Sequence, residues 1–262
     1  MSGCKKSADQ NAIVAFLSSR AKRFAKRGTG GRRLNLFQPC SIPGYKIKNM
    51  RVRITFSKTG ALRYIGHLDL HALWERAARR AELPLAYTKA YHPQPKIYLA
   101  SALPLGFSSC CEVVDLRLTQ DVDVVNLPVL IQAAMPSGIG ILNAEIVDEQ
   151  GPPLQTQVIA ADYEVTITRT SLASGPADLF KASLMLRSKE LLAQSTLPRE
   201  RRGKVYDLRP LIEQLAIISE NKIFMRLTAR EAATGRPEEV LDALGIAPEN
   251  TEIERVNLIF QG

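Results

Sequence analysis

Apolar and polar residues alternate along residues 51–56, and this alternation predicts a strand with one buried face. Residues 67–84 follow a different rhythm, in which apolar residues such as Leu70 and Trp74 recur every three or four positions. That spacing places them on one side of a predicted helix, which ends at Pro84. Two strand-like runs, a shorter helix and another strand complete the segment, so its predicted order is β-α-β-β-α-β.

The same order of predicted elements occurs again after residues 151–153, Gly-Pro-Pro, which interrupt the pattern. A strand, a long helix, two strands, a short helix beginning near Pro237 and a final strand follow one another. Two ferredoxin-like units in tandem, each with an antiparallel sheet covered by helices, are the simplest fold with this order. We therefore predict an α+β protein with one unit at residues 50–150 and another at residues 158–262.

The formal net charge of +9 is concentrated in the first 50 residues, which hold 11 Lys or Arg and one acidic residue. Residues 51–262 hold 24 basic and 25 acidic residues and are close to neutral. The N-terminal segment is consistent with a basic arm that touches RNA or anionic lipid, with an import sequence, or with an upstream extension of a chain that starts at Met50. Its scattered apolar residues could not offset the entropy of ordering it, so we predict a disordered basic leader at residues 1–49.

The four cysteines, Cys4, Cys40, Cys110 and Cys111, lack the Cys-x-x-Cys spacing of a zinc site. Cys110 and Cys111 fall within a predicted strand, where successive side chains point to opposite faces of the sheet. A disulfide framework is therefore not indicated, and a reducing cytoplasm is the expected location. No apolar run approaches the roughly 20 residues that a membrane-spanning helix needs, so no membrane association is predicted.

The sequence lacks the motifs of several common enzyme classes, including a Gly-rich dinucleotide loop, a P-loop, a Gly-x-Ser-x-Gly elbow and a His-Glu-x-x-His helix. Its three histidines, His67, His71 and His92, lie close together in the chain. His67 and His71 share a helix face, and Asp69 or His92 could complete a three-ligand metal site. The same spacing is typical of an ordinary exposed helix start, and Asp69 points about 200° away on the helix wheel. We predict neither a metal nor another cofactor.

Residues 90–96, Ala-Tyr-His-Pro-Gln-Pro-Lys, connect the predicted helix to the next strand. The two prolines fix two backbone angles and keep the residues before them out of the helical region. Such a segment would present His92 and Lys96 beside Tyr91 with little entropy left to lose on binding. The alternative is that the prolines only make a sharp entry into the strand.

Residues 56–106 contain Gly-His-Leu-Asp-Leu, Glu-Arg-Ala-Ala-Arg-Arg-Ala-Glu-Leu-Pro, Pro-Gln-Pro-Lys and Ala-Leu-Pro-Leu-Gly, and strongly resemble the radical SAM-linked protein family of bacteria. A weaker similarity continues through residue 260. His71 stands where that family usually has an apolar or variable residue, and His92 occupies a variable place. The positions that match the family pattern are Lys58, Arg63, His67, Asp69, Glu75, Arg76, Arg79, Arg80, Tyr87, Pro93, Pro95, Lys96 and Gly106.

The resemblance implies a protein partner, because members of that family are fused to, or encoded beside, a radical SAM protein with a B12-binding-like region. This chain lacks the cysteine triplet that holds a radical SAM cluster, so the chemistry would lie on a separately encoded protein. In related bacteria the neighbouring genes encode a ribonuclease and ribosomal proteins, which implies work on RNA or the ribosome.

The first functional hypothesis is a non-catalytic accessory module that binds RNA and works with the radical SAM partner. The second is a small enzyme in which His67 acts as general acid or base, oriented by Asp69 or another carboxylate, on an anionic substrate. A solvated helix face is the alternative role for the paired arginines. The candidate ligand contacts, expected around one end of the first unit, are Lys58, Arg63, His67, Arg79, Arg80, Tyr91, His92 and Lys96.

Overall fold

The structure is a computed structural model that describes residues 49–168, 177–201, 203–230 and 233–261. For residues 177–180 it describes the backbone alone. The leader predicted at residues 1–49 lies outside the described residues, apart from Asn49.

The first half of the described chain follows the predicted order of strands and helices. A short 3-10 helix at Gly60–Tyr64 leads from the first strand into the first helix. The elements are β1 Met50–Lys58, α1 His67–Arg80, β2 Ile97–Leu99, β3 Ser108–Leu118, α2 Leu127–Ala134 and β4 Ile139–Val147.

The second half contains the predicted elements and an additional hairpin, β6–β7, between its long helix and its next strand. Short 3-10 helices precede β8 at Arg209–Leu211 and β11 at Pro248–Asn250. The elements are α3 Leu154–Gln157, β5 Val158–Ile167, α4 Ala177–Ala193, β6 Pro198–Arg201, β7 Lys204–Asp207, β8 Ile212–Ser219, β9 Lys222–Arg230, β10 Ala233–Thr234, α5 Pro237–Ala243 and β11 Thr251–Phe260.

Nine of these strands form one sheet with the order β10-β9-β5-β11-β3-β1-β4, in which β2 also pairs with β3 and β8 also pairs with β9. Among the described strand pairs, β11 and β3 run parallel and the others run antiparallel. The predicted α+β class with a mainly antiparallel sheet is therefore confirmed.

The first hydrophobic core lies between α1 and the sheet. Val52, Ile54 and Phe56 alternate along β1 and are fully buried there. The ring of Phe56 packs edge-on against Trp74 of α1, with ring centroids 5.0 Å apart. Burying each such side chain contributes roughly 1.5–3 kcal/mol relative to leaving it exposed, so this face holds α1 on the sheet.

The second hydrophobic core includes Val165 of β5 and Ile223 of β9. It also takes in Leu103 and Phe107, which belong to the loop between β2 and β3 of the first half. Phe107 packs edge-on against Tyr163, with centroids 6.3 Å apart. The chain that follows β2 thus fills the second core, which explains why β2 is shorter than the apolar run predicted.

Strand β3 is where the two halves meet. Its first two residues pair with Glu254 and Arg255 of β11, whereas residues 114–116 pair with β2. On its other side β3 pairs with β1. The region around Glu112 therefore lies where β1, β3, β11 and the loop after β2 converge.

Among the described helices, none combines the length and apolar character needed to cross a membrane.

Candidate functional site

Lys58 is the last residue of β1, and its side chain is buried beside the chain that leads into α1. Its ammonium nitrogen donates a hydrogen bond to the carbonyl oxygen of Ile65 at 3.3 Å. The ion pairs formed by the described residues do not include Lys58. Burial lowers the pKa of Lys58, the Glu112 carboxylate partly counteracts this, and Arg255 lowers it further.

Arg255 of β11 and Glu112 of β3 form an ion pair that is almost completely buried. The guanidinium nitrogens of Arg255 donate to the Glu112 carboxylate at 2.5–2.9 Å. Further contacts of 3.4–3.5 Å join the guanidinium to Ser101 and to the carbonyl oxygen of Ala102. Burial is the largest influence and lowers the pKa of Arg255, but the attraction and hydrogen bonds to Glu112, with the influence of Tyr163 and Cys111, together outweigh it and the pKa is raised. The pair connects β3, β11 and the loop after β2.

Lys58, Glu112 and Arg255 together are called the buried charged cluster. Their electrostatic influence on one another shows in the pKa shift of Lys58, to which both other residues contribute. Since the Glu112 carboxylate is held by Arg255, the cluster has an excess of positive charge whenever Lys58 is protonated. An uncompensated cation in the interior is costly, and such groups are frequent at functional sites.

His67 is the first residue of α1 and is exposed above this cluster. Packing around its ring lowers its pKa, His71, Arg255 and Lys58 lower it further, and Glu112 opposes them. The shift favours the neutral imidazole, which can accept a proton. Among the described residues, no hydrogen bond or ion pair joins His67 to Asp69, and the role of Asp69 as orienting carboxylate stays a prediction.

His71 lies one turn further along α1, with its Nε2 atom 3.2 Å from the carbonyl oxygen of Ile97. His92 lies on the segment before β2, where its ring contacts Tyr91. Within the part of the chain that the structure describes, no group of three or more His, Cys, Asp or Glu side chains is placed to hold a metal ion.

Exposed apolar side chains lie on the two segments that meet just before α1, where the Gly106 amide donates to the Arg63 carbonyl oxygen at 2.9 Å, and on the first turn of the helix. Tyr64, Leu68 and Leu105 are 61%, 82% and 63% exposed. Arg63 covers the ring of Tyr64, with its guanidinium carbon 4.9 Å from the ring centroid, and donates to the Tyr64 hydroxyl at 2.8 Å. Its other nitrogen is 4.0 Å from Glu252, so the Arg63 side chain is already engaged within the protein.

The proline-rich segment forms an ordered, exposed hairpin. Tyr87 and Pro95 form an antiparallel bridge at its base. Above them, the Thr88 amide donates to the Gln94 carbonyl and the Gln94 amide donates to the Thr88 hydroxyl, both at 2.9 Å. Tyr91 at the tip is 94% exposed. The predicted rigid presentation of this tip therefore has a physical basis in both prolines and hydrogen bonds.

Tyr91 and His92 contact each other at the tip, edge-on, with ring centroids 4.8 Å apart. Lys96 lies at the base of the hairpin, where its amide donates to the carbonyl oxygen of Ala86 at 2.8 Å. Its side chain is partly exposed. Together with Arg79 and Arg80 at the end of α1, these residues are called the hairpin surface.

Arg79 and Arg80 are exposed and already have partners. Arg79 forms an ion pair with Glu75 at 2.6 Å, and Arg80 donates to the carbonyl oxygen of Ala134 at the end of α2 at 3.1 Å. Both features fit a solvated helix face, yet an exposed surface pair is weak enough to exchange for another anion.

The structure does not bring all the predicted site residues together. The carbonyl of Lys96 accepts from the amide of Arg117, five positions along β3 from Glu112, which is about 17 Å at the rise of a strand. Helix α1, 14 residues long, separates His67 from Arg80 by about 20 Å. The predicted residues therefore divide into a helix-start group, Lys58, Arg63, His67 and Asp69, and the hairpin surface.

Sequence reasoning missed Glu112 and Arg255. Arg255 follows Ile253 by two positions in an alternating strand, so it occupies an inward-facing place that an apolar residue normally fills. A charged residue at an inward-facing position of an apolar series was the sequence signal that could have identified Arg255 as a buried charge. Its partner could not be inferred, because Glu112 lies 143 positions away in the chain.

A family model described as "Uncharacterized protein conserved in bacteria (DUF2344)" matches residues 51–237. This range includes β1, α1, the hairpin and Glu112, but ends before Arg255. No curated protein matches the chain.

Proposed function

We propose that this chain, which belongs to the bacterial family DUF2344, is a non-catalytic accessory module that binds RNA and works beside a separately encoded radical SAM protein. The radical SAM partner and the link to RNA or the ribosome rest on the resemblance of residues 56–106. A cytoplasmic location belongs to the same proposal.

The observation that carries the proposal is the exposed aromatic tip of the hairpin surface. The Tyr91 ring is 94% exposed and gains nothing from the core, and the hairpin that carries it is held by two hydrogen bonds between Thr88 and Gln94. Proteins bind single-stranded RNA by stacking bases on such rings and by pairing phosphates with Lys and Arg. Lys89 and Lys96 flank Tyr91 along the same hairpin.

The proposed architecture is a tandem of two ferredoxin-like units. Strand neighbours follow β2-β3-β1-β4 in the first half and β8-β9-β5-β11 in the second, with helices after the first and third strand of each. The same relative order in both halves supports this interpretation. In the first half the face opposite the helices is partly covered, because Arg51 and Arg53 of β1 bond to the segment 148–157. The hairpin is thus a better candidate RNA contact than the sheet.

A pull-down from bacterial lysate at low salt, with and without ribonuclease, tests the proposal. Baits are the full chain and residues 49–262, each as the parent, the Tyr91→Ala variant and the Tyr64→Ala variant. We expect RNA on the parent and the Tyr64→Ala bait, little on the Tyr91→Ala bait, and none after ribonuclease. Tyr64 is the matched control, because it is an exposed tyrosine that lies before α1 and outside the hairpin surface.

Identification of the bound proteins tests the second half of the proposal. A radical SAM protein that is recovered with every bait and survives ribonuclease supports direct docking. If no bait retains RNA at low salt, the RNA role is wrong, whatever proteins are recovered.

A second candidate function is proton transfer by His67 on an anionic substrate. It is favoured by one observation, the neutral imidazole exposed above a buried cluster with excess positive charge. A His67→Ala variant should then keep its fold, by circular dichroism, and lose function in cells. Retained cellular function in a folded His67→Ala protein would exclude this candidate.

A further inference from the structure

Strand β4 forms one edge of the sheet, because among the described strands it pairs with β1 alone. Its other side is covered at the start by Gln132 of α2. The side-chain amide of Gln132 donates to the carbonyl oxygen of Ile139 at 3.0 Å and accepts from the amide of Ile141 at 2.7 Å. Gln132 therefore bonds to β4 as a residue of a neighbouring strand would. Residues 142–147, about 20 Å of strand, follow with no hydrogen bond from a described side chain to their backbone.

Apolar side chains border this free edge from the strand and from the helix. Leu142 and Ile146 of β4, Val129 of α2 and Val125 in the turn before α2 are all at least half exposed. Val125, Val129 and Gln132 are separated by four and three positions, so they share the side of the helix from which Gln132 reaches β4. These four apolar side chains and the backbone of residues 142–147 are called the edge groove.

The far end of the edge groove is acidic. Ile146 also lines a cleft of about 520 Å³, into which Asp121, Asp148 and Glu149 face. Arg51 lines the same cleft, but its guanidinium is already bonded to a buried carboxylate of β3 and to backbone carbonyl oxygens. The charge at this end therefore favours a basic occupant.

We propose that the edge groove binds an extended, basic segment of a partner protein, which adds a strand to the sheet beside β4. Its backbone pairs with residues 142–147, and its alternate apolar side chains pack against Val129 and Ile146. Its Lys or Arg side chains meet Asp121 and Asp148 at the acidic end. A second copy of β4 is a poorer occupant, because residues 139–147 carry one carboxylate and no basic side chain.

The test uses the full chain and a fluorescein-labelled peptide, Lys-Val-Lys-Val-Lys-Val-Lys, with a control peptide that has Glu in place of every Lys. We expect the basic peptide to bind, by fluorescence anisotropy, and to slow amide hydrogen exchange in residues 142–147. The acidic peptide should do neither.

Two variants test the walls of the groove. Ile146→Asn and Val129→Asn should each weaken binding of the basic peptide about 10-fold or more, because an apolar contact is lost. Ile218→Asn is the matched control, since Ile218 is an exposed isoleucine of another strand, β8, and this variant should bind as the parent does.

Several results would overturn the inference. If the basic peptide binds no better than the acidic one, or if Ile146→Asn and Ile218→Asn bind it equally, the groove does not take a basic strand. Slow exchange of residues 142–147 before peptide is added would show that the edge is already covered. Light scattering would then identify the cover as a second copy, from the mass of a dimer, or as the chain's own residues, from the mass of a monomer. None of these results bears on RNA binding by the hairpin surface, so this site and the proposed function fail independently.

Discussion

Arg255 and Glu112 are both buried, so each relies on the other for the hydrogen bonds that water would otherwise supply. Desolvating such a pair costs about as much as the mutual attraction returns, whereas removing one partner leaves the other charge stranded. Lys58 lies in the same cluster with only a backbone carbonyl as its acceptor. These side chains therefore contribute more to the specific arrangement of β1, β3 and β11 than to the free energy of unfolding.

Removing the Glu112 charge should be costly. We expect Glu112→Gln to lower the free energy of unfolding by about 3–5 kcal/mol, because Arg255 stays buried without its carboxylate. The double variant Glu112→Leu/Arg255→Met should recover most of that loss. Urea unfolding followed by fluorescence of Trp74 measures both. Glu75→Gln is the control, because it breaks the exposed pair with Arg79, and it should lower the free energy of unfolding by about 0–1 kcal/mol. Equal losses of unfolding free energy from Glu75→Gln and Glu112→Gln would contradict the account.

Lys58 should make stability depend on alkaline pH. Its pKa in the folded chain is lowered from 10.5, so between the two values the unfolded chain binds more protons than the folded chain. Stability contributed at this site therefore rises with pH through that window and is constant above it. We expect the difference in unfolding free energy between the parent and Lys58→Met to shift in favour of the parent as pH rises towards 10.5. A difference independent of pH would show that Lys58 is not desolvated.

At the scale of elements, hydrophobic periodicity was sufficient to predict most of what the structure contains. Alternation identified β1, and the three-to-four spacing of Leu70 and Trp74 identified α1. The ends of β2 could not be predicted, because the apolar residues Leu103 and Phe107 pack into the second core and do not belong to a strand. The hairpin β6–β7 carries too few apolar residues to give a clear period.

The turn into β4 requires glycine at position 138. Gly138 has φ of +100°, and a Cβ there would lie 2.8 Å from the carbonyl oxygen of Thr59. We expect Gly138→Ala to cost about 2–3 kcal/mol, from strain and from the displaced contact with the chain after Lys58. Gly203 has φ of +75° with nothing within 4 Å of a Cβ. Gly203→Ala therefore measures the backbone strain alone, which should lower the free energy of unfolding by about 1–2 kcal/mol. Equal thermal shifts for the two variants would show that the close contact is absent.

At the scale of the whole molecule, one sheet passes through both halves, and the loop after β2 fills the core of the second. The sequence could not predict this junction, because it joins residues as distant as Ser108 and Ile253, 145 positions apart. The same kind of distance hid the ion pair between Glu112 and Arg255, which lie 143 positions apart. The division into two ferredoxin-like units at 50–150 and 158–262 stays a prediction.

The shared sheet should make the halves unfold together. Trp74, the single tryptophan of the chain, reports on the first core, whereas far-ultraviolet circular dichroism reports on both halves. We expect the two signals to give the same urea midpoint, as in a cooperative transition. A Trp74 midpoint clearly separated from that of circular dichroism would show that the halves are energetically independent.

RNA affinity as a function of salt is the measurement that tests the central claim most directly. Fluorescence anisotropy with a labelled single-stranded RNA is applied to residues 49–262, which excludes the basic N-terminal segment. The account predicts that log affinity falls linearly with log salt and that Lys96→Ala reduces the slope by about 0.7. Tyr91→Ala should weaken binding by about 1–3 kcal/mol at every salt concentration, whereas Tyr64→Ala and Lys204→Ala match the parent. Flat salt dependence, or equal losses from Tyr64→Ala and Tyr91→Ala, would contradict RNA binding by the hairpin surface.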